Sequence, residues 1–294
     1  MHKYLRSVGF SDFKKKDLEI ILEDVIEKPD TIKVTKDSEQ NEFVELTKMY
    51  GKKIGITLCG FYDELDVFHI DYYFPFAISD EISTIERIDI EKHADKESFA
   101  GICDEIRLGV TLIFFLQNVA DFLSEHRNNI HVKGLQGAFL SGLSVDGKII
   151  LPIKSSVDRK VSVQKHHKRN KLVAEAREGN EAAIESLALE DLDIYNSISK
   201  RIRNEDIFSI VETSFMPYGI ESDHYSILGI IMELEEDVNT FTNEKMYSMK
   251  VNCNDIYINV TINEKDLEGE PAVGRRFKGS VWMQGTVCLD SMHL

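Results

Sequence analysis

Basic charge is scarce in this sequence: 35 lysines and arginines stand against 51 aspartates and glutamates, a net charge of −16. A protein that grips nucleic acid or a membrane surface over a broad face shows a basic field, so the average charge argues against both and fits solubility. Cysteine is sparse too. Cys59, Cys103, Cys253 and Cys288 lie far apart and form no CxxC pair, which argues against a thiolate zinc site or a disulfide framework and fits reduced thiols in a cytoplasm. Long apolar runs are missing. The start, MHKYLRSVGFSDF, lacks an apolar segment of signal-peptide length, and the most apolar stretch, 108–123, carries Gln117, Asn118 and Asp121. That stretch is shorter than the ~20 apolar residues a membrane span needs. Walker A, GxGxxG, GxSxG and HExxH patterns are absent as well, so no motif assigns a cofactor, a metal or a catalytic residue. Tryptophan occurs once, at Trp282.

What is present reads as a packed chain in two main parts. With 294 residues, 43% hydrophobic and 29% charged, there is material for two domains of ordinary size. In 14–28, Leu18, Ile21, Leu22 and Val25 recur at helical spacing and Pro29 supplies a stop, which predicts a helix. Residues 31–36 alternate as a short strand, 53–76 as a hairpin around the polar DELD, and 85–92 as a further strand. The run at 108–126 fits a strand or a helix, and Leu112, Leu116, Val119 and Leu123 favour a buried helix. Residues 134–153 predict a second hairpin with Asp146-Gly147 at its tight turn. Residues 169–202 are helix-forming, broken near Gly179-Asn180, with Leu172, Val173, Ala176 and Ile184 as the buried stripe.

The C-terminal region carries five alternating apolar runs, at 225–236, 245–253, 256–262, 277–284 and 286–289, with a tight NDI turn between the second and third and a long polar connection between the third and fourth. Five short strands with a long third connection predict a small five-stranded barrel of the oligonucleotide/oligosaccharide-binding type, with Gly229 bending its first strand; an ordinary antiparallel barrel or sandwich is the competing fold. The expected architecture is therefore α+β. It has a mixed N-terminal domain of antiparallel sheet with packed helices at 1–153, a basic linker and helical connector at 154–220, and a C-terminal OB-like β-barrel at 221–294.

Alternation along 277–284 places Phe277, Gly279, Val281 and Met283 inside such a barrel and Lys278, Ser280, Trp282 and Gln284 outside. The same test leaves Tyr257 and Lys250 outside. Trp282, Tyr257, Lys250 and Lys278 then make a candidate binding face with the ingredients to stack a base, sugar or peptide. The competing reading is that another part of the chain or a protein partner covers this face, with Trp282 anchoring the contact. A bulge returning Trp282 to the core is a third. Acidic residues flank these strands and would repel phosphates. A second candidate is the basic island at 154–171, where Lys165, Lys168 and Arg169 surround His166 and His167; it lacks aromatic interleaving, and a solvated loop is the plainer account. His69 and Asp71 share a strand face and form an acid–base candidate, as do Cys103 with Asp104 and Glu105, and His93; such pairs are more often surface decoration.

The segments HKYLRSVGF (2–10), LIFFLQN (112–118), NEDIFSIVETSFMPYG (204–219) and EKDLEGEPAVGRRFKGSVWMQG (264–285) resemble an uncharacterised clostridial-type bacterial family of about this length, known as a domain of unknown function. The resemblance covers essentially the whole chain. It implies a cytoplasmic bacterial protein and brings no established activity, cofactor or catalytic residue. The expected function is a non-enzymatic binding or scaffold protein, away from membranes, that engages a protein partner or self-associates as a homo-oligomer. The alternatives are single-stranded nucleic-acid binding through the barrel face and basic linker, and an enzyme using His69 and Asp71.

Overall fold

A computed structural model describes residues 1–94, 96–126, 131–153, 168–169, 171–176, 179–201 and 206–289. Two 3-10 turns, Lys3–Val8 and Lys15–Asp17, lead into helix α1 (Leu18–Glu27). Strands β1 (Thr31–Lys36), β2 (Glu42–Met49), β3 (Ile54–Tyr62) and β4 (Phe68–Ala77) follow and pair in chain order as a four-stranded antiparallel sheet. Next come β5 (Thr84–Lys92), β6 (Phe99–Glu105), β7 (Val110–Leu116), helix α2 (Val119–Glu125), β8 (His131–Ile150) and helix α3 (Glu181–Arg201). The chain ends in β9 (Ser214–Pro217), β10 (His224–Val238), β11 (Lys245–Cys253), β12 (Ile256–Asn263), β13 (Leu267–Glu268) and β14 (Arg276–Val287). Strands β5 to β14 make a ten-stranded mixed sheet.

The self-contained C-terminal barrel of the sequence reading does not form, and the α+β assignment gives way to a mostly β chain. The hub is the antiparallel β8–β14 ladder, which runs from Ala138 opposite Val287 to Ile150 opposite Arg276. From β14 the pairings pass to β10, β11 and β12, then back to β8 through a parallel pair. On the other side they pass from β8 to β5, β6 and β7, then back to β14 through a second parallel pair. The C-terminal strands therefore close their circuit with a strand from the first half of the chain.

The expected hairpin at 134–153 is instead the single 20-residue strand β8. Asp146-Gly147 makes no turn but stays in register with Ser280 and Gly279; a bulge falls one residue earlier, because Val281 pairs with Ser144 and leaves Val145 as the extra residue. Gly147 is needed here for space, because a Cβ would come within 2.6 Å of the Phe277 ring. The run at 277–284 and the first two residues of the run at 286–289 likewise fuse into β14. The turn between β11 and β12 is as expected, with Asn254 and Asp255 at φ 53° and 65°, the left-handed pair that a two-residue hairpin demands. Gly229 marks where β10 leaves β14 and joins β11; a Cβ there would lie 2.5 Å from Val251.

The segment 108–126 is not one helix. Leu112 and Leu116 fall on one side at a period of 3.6 and also at a period of 2, so their spacing fits a strand equally well. The chain changes from β7 to α2 at Gln117-Asn118. There the Gln117 amide donates to Ala77 O, Ser141 Oγ and Gln284 Oε1, while Asn118 exchanges two bonds with the Val287 backbone. Along the later helical region Leu172, Val173 and Ala176 are half-buried, but Ile184 of α3 is exposed. No described helix is long and apolar enough to cross a membrane.

The N-terminal 3-10 turn binds the parts together. Tyr4, Leu5 and Val8 are buried, Ser7 Oγ donates to Ser144 O, and the side-chain amides of Asn263 and Asn239 donate to Arg6 O and Val8 O. One continuous apolar core runs through both sheets.

Candidate functional site

Strand β14 sets Trp282 opposite His224 of β10, and the N-terminal turn lies across the pair. The indole is 5% exposed. It stacks on Tyr4 at 5.5 Å and is tilted against His2 at 4.7 Å and Phe115 at 5.3 Å. Its Nε1–H donates to Asp223 Oδ2 at 2.7 Å, and Asp223 Oδ1 bonds His224 Nδ1 at 2.8 Å. Burial alone would raise the Asp223 carboxyl; the bonds from His224 and Trp282 outweigh it and hold the group below its ordinary range. Burial, helped by Lys3, pushes the His2 imidazole down to about 4. The face that alternation left to Trp282 is thus filled by residues 2–4 of its own chain, and the indole is an internal anchor.

The other sequence-predicted residues do not gather around it. Lys250 lies over the Tyr257 ring at 5.5 Å, and its ammonium is shared by Glu81 and Glu233, which hold it above its ordinary value. Lys278 lies over the Phe208 ring at 4.3 Å. Arg169 pairs with Glu190 at 3.5 Å, and Lys168 is exposed. Lys165, His166 and His167 fall outside the described residues. His69 bonds Asp63 at 2.7 Å and stacks on Phe61 at 5.2 Å; its partner is thus Asp63 in the preceding turn, while burial raises the nearby Asp71 carboxyl. Burial pushes the Cys103 thiol up to about 12. Glu105 is held by Arg107 at 2.7 Å, whose guanidinium also donates to Asp255 O and Ser83 O. Among the described residues no three metal-ligating side chains converge.

The sequence reading missed a cavity of ≈ 490 Å³ where residues 12–13 meet the β10–β11 turn and the end of β12. Phe13 and Phe241 form its apolar wall, with ring centroids 6.1 Å apart at 62°, and Phe241 is 42% exposed. Lys265 and Lys245 line it as well. Lys265 Nζ donates to Asp12 Oδ2 at 2.8 Å, Ser11 Oγ at 2.9 Å and Glu244 Oε1 at 3.0 Å. Glu244 also accepts from Ser11 Oγ and from the Asn263 amide, both at 2.6 Å.

These bonds decide the chemistry. Asp12 and then Glu244 hold Lys265 above its ordinary value. Burial would raise Glu244, but its bonds from Ser11 and Lys265 keep it below. Lys265 therefore keeps its proton and Glu244 stays ionised, so Ser11 has no neutral amine beside it to act as a base. The carboxylates of Asp12, paired with Lys265, and of Glu264, which accepts from Tyr247 Oη at 3.0 Å and pairs with the lining Lys245 at 3.5 Å, remain exposed beside the Phe13–Phe241 wall. An acidic rim on an aromatic wall suits an ammonium or a guanidinium. The available sequence signal was Phe241 itself, an aromatic residue in the polar turn NTFTNEK (239–245).

A family model described as "Domain of unknown function, E. rectale Gene description (DUF3881)" matches residues 5–285, a span that includes the cavity and both strand circuits. No curated protein and no solved structure matches the chain.

Proposed function

Because the chain belongs to this family of unknown function over nearly its whole length, membership supplies no activity, and we propose from the cavity that it is a non-enzymatic binding protein engaging a basic segment of a protein partner. The observation that carries this reading is the exposed Phe241 wall beside the Asp12 and Glu264 carboxylates, with both lining lysines, Lys265 and Lys245, already matched by carboxylates of the chain itself. A lysine or arginine side chain laid over Phe241 gains about 0.5–1 kcal/mol at such an exposed site. The net charge of −16 steers a basic partner toward the protein and slows an acidic one. A nucleic-acid reading has less support, since Lys250 is matched by Glu81 and Glu233 and Trp282 is covered. Cys59, Cys103 and Cys253 as buried free thiols fit a cytoplasmic setting.

Calorimetric titration of the full chain with a capped arginine–alanine peptide, its glutamate–alanine counterpart and arginine amide alone tests the reading. The arginine peptide is expected to bind saturably, more weakly as salt rises, and at least several-fold more weakly to Phe241→Ala or to the Asp12→Asn/Glu264→Gln pair. Tighter binding of arginine amide than of the peptide points to a small cation as the ligand and overturns the protein-partner reading. No saturable binding at low salt, or binding indifferent to Phe241→Ala, overturns the site.

A further inference from the structure

Two lysines of the chain itself, Lys265 and Lys245, line the Phe241 cavity, and they are held unequally. Resting on the binding reading of this cavity, we infer that Lys245 is a tethered competitor within it. An incoming cation binds by taking the Glu264 carboxylate from Lys245, so Lys245 sets how tightly the cavity holds a basic segment.

Strand register fixes the frame around Lys245. On β10, Val238 stands opposite Lys245 and Glu236 opposite Tyr247. Side chains two apart on a strand share a face, so Lys245 lies beside Tyr247 with Glu236 on the diagonal. The β11–β12 ladder ends with Met246 opposite Asn263, and the next residue, Glu264, comes level with Lys245. The Lys245 ammonium accordingly lies over the Tyr247 ring at 4.8 Å, with Glu236 Oε1 at 2.9 Å and Glu264 Oε1 at 3.5 Å. An ammonium on an aromatic face between two carboxylates is the chemistry a ligand cation would use here, performed by the chain's own lysine.

The distances separate the carboxylate that can change hands from those that cannot. Lys265 makes three close bonds, and one of its carboxylates, Glu244, is 8% exposed. That lysine is locked. Lys245 is anchored by Glu236, which is the largest cause holding it above its ordinary value. Its 3.5 Å separation from Glu264 is longer than the ~2.7–2.9 Å of a close charge-assisted bond. Tyr247 Oη also donates to Glu264 Oε1. Both contacts thus fall on one oxygen of an exposed side chain, and Glu264 Oε2 accepts no hydrogen bond among the described residues. A cation arriving at Oε2 draws Glu264 away while Lys245 keeps Glu236. The four carboxylates Asp12, Glu236, Glu244 and Glu264 face two ammonium groups, so these ion pairs carry a net charge of −2 that favours a further cation.

Calorimetric titration of the full chain with the capped arginine–alanine peptide tests this. Lys245→Gln is expected to bind the peptide roughly two- to five-fold more tightly than the unaltered chain, the range an exposed charge pair spans. The same change is expected to add nothing when Glu264→Gln is already present, because the contested carboxylate is gone. Lys36→Gln alters charge equally on β1, away from the cavity lining, and is expected to leave affinity unchanged. Lys245→Arg, whose planar fork can hold Glu236 and Glu264 together, is expected to weaken binding. Equal affinity of the unaltered chain and Lys245→Gln overturns the inference and leaves the binding reading standing. A gain that persists in the Glu264→Gln background, or that Lys36→Gln matches, makes Lys245 a general source of repulsion and overturns the inference as well. A peptide that binds neither the unaltered chain nor Lys245→Gln overturns the cavity as a binding site, and this inference with it.

Discussion

Strands β14 and β1 are both short-period alternations, RFKGSVWMQGTV and TIKVTK, and they end in opposite surroundings. Strand β14 has β8 along one edge, β10 and β7 along the other, and buried residues on both faces. Among the described residues, strand β1 has one partner and one covered face. The difference teaches that alternation fixes the two faces of a strand, while the number of neighbours decides what those faces do. At β14 the nominally outer face, with Trp282 and Gln284, becomes core because the N-terminal turn and β4 lie on it; Gln284 donates to Pro75 O at 2.8 Å. At β1 the nominally inner face, with Ile32 and Val34, remains in solvent because α1 stops short of it.

The comparison can be broken most severely at the hub. Phe277, fully buried in β14 against Gly147, is expected to cost about 3–5 kcal/mol as Phe277→Ala, read by chemical denaturation. Val34→Ala, exposed on β1, is expected to shift stability by less than ~0.5 kcal/mol. A Val34→Ala loss comparable to that of Phe277→Ala would remove the distinction.

Glu45 sharpens it from inside the first sheet, because β2 presents this carboxyl to the start of α2. Burial pushes it up to about 7 against the opposing pull of Lys33 and the backbone amides of Ala120 and Val119. A carboxyl raised on folding contributes its stability fully below its unfolded value and loses it as pH rises through the folded one. The intact chain is therefore expected to lose up to about 3 kcal/mol between pH ~4.5 and ~7, and Glu45→Gln to show a flatter profile across that window. An unchanged slope in the variant would place the titration elsewhere.

Asp223 has the opposite sign. Its carboxyl is held below its ordinary range, so its contribution is present above pH ~4 and is lost as pH falls below that. Asp223→Ala orphans the Trp282 indole N–H and is expected to cost about 1–3 kcal/mol. Trp282 is the sole tryptophan, so its emission reports the change directly; an unshifted spectrum in Asp223→Ala would show the indole held by its rings alone.

Much of the element order is legible in the sequence. The helix before Pro29, the 53–76 hairpin and the paired runs at 245–253 and 256–262 emerge as α1, β3–β4 and β11–β12. Each is encoded within a few residues, by a helix stop or a turn. The candidate face was legible by side and not by occupancy: alternation put Trp282 outward, and residues 2–4, far away in sequence, cover it. The Phe241 cavity was not legible because its walls come from three segments that no local pattern links.

What the sequence determined by itself is which residues pair their apolar faces inward over short spans, and that Asn254-Asp255 turns the chain. Only the tertiary structure decided that Asp146-Gly147 continues a strand past a bulge at Val145, that β8 completes the C-terminal circuit, and that β1 is left with an open edge among the described residues. The reason is hydrogen-bond valence. A strand's sequence states which face wants burial, but its backbone groups are the same in every residue, so the partner that satisfies them is chosen by whichever strand the rest of the fold brings alongside.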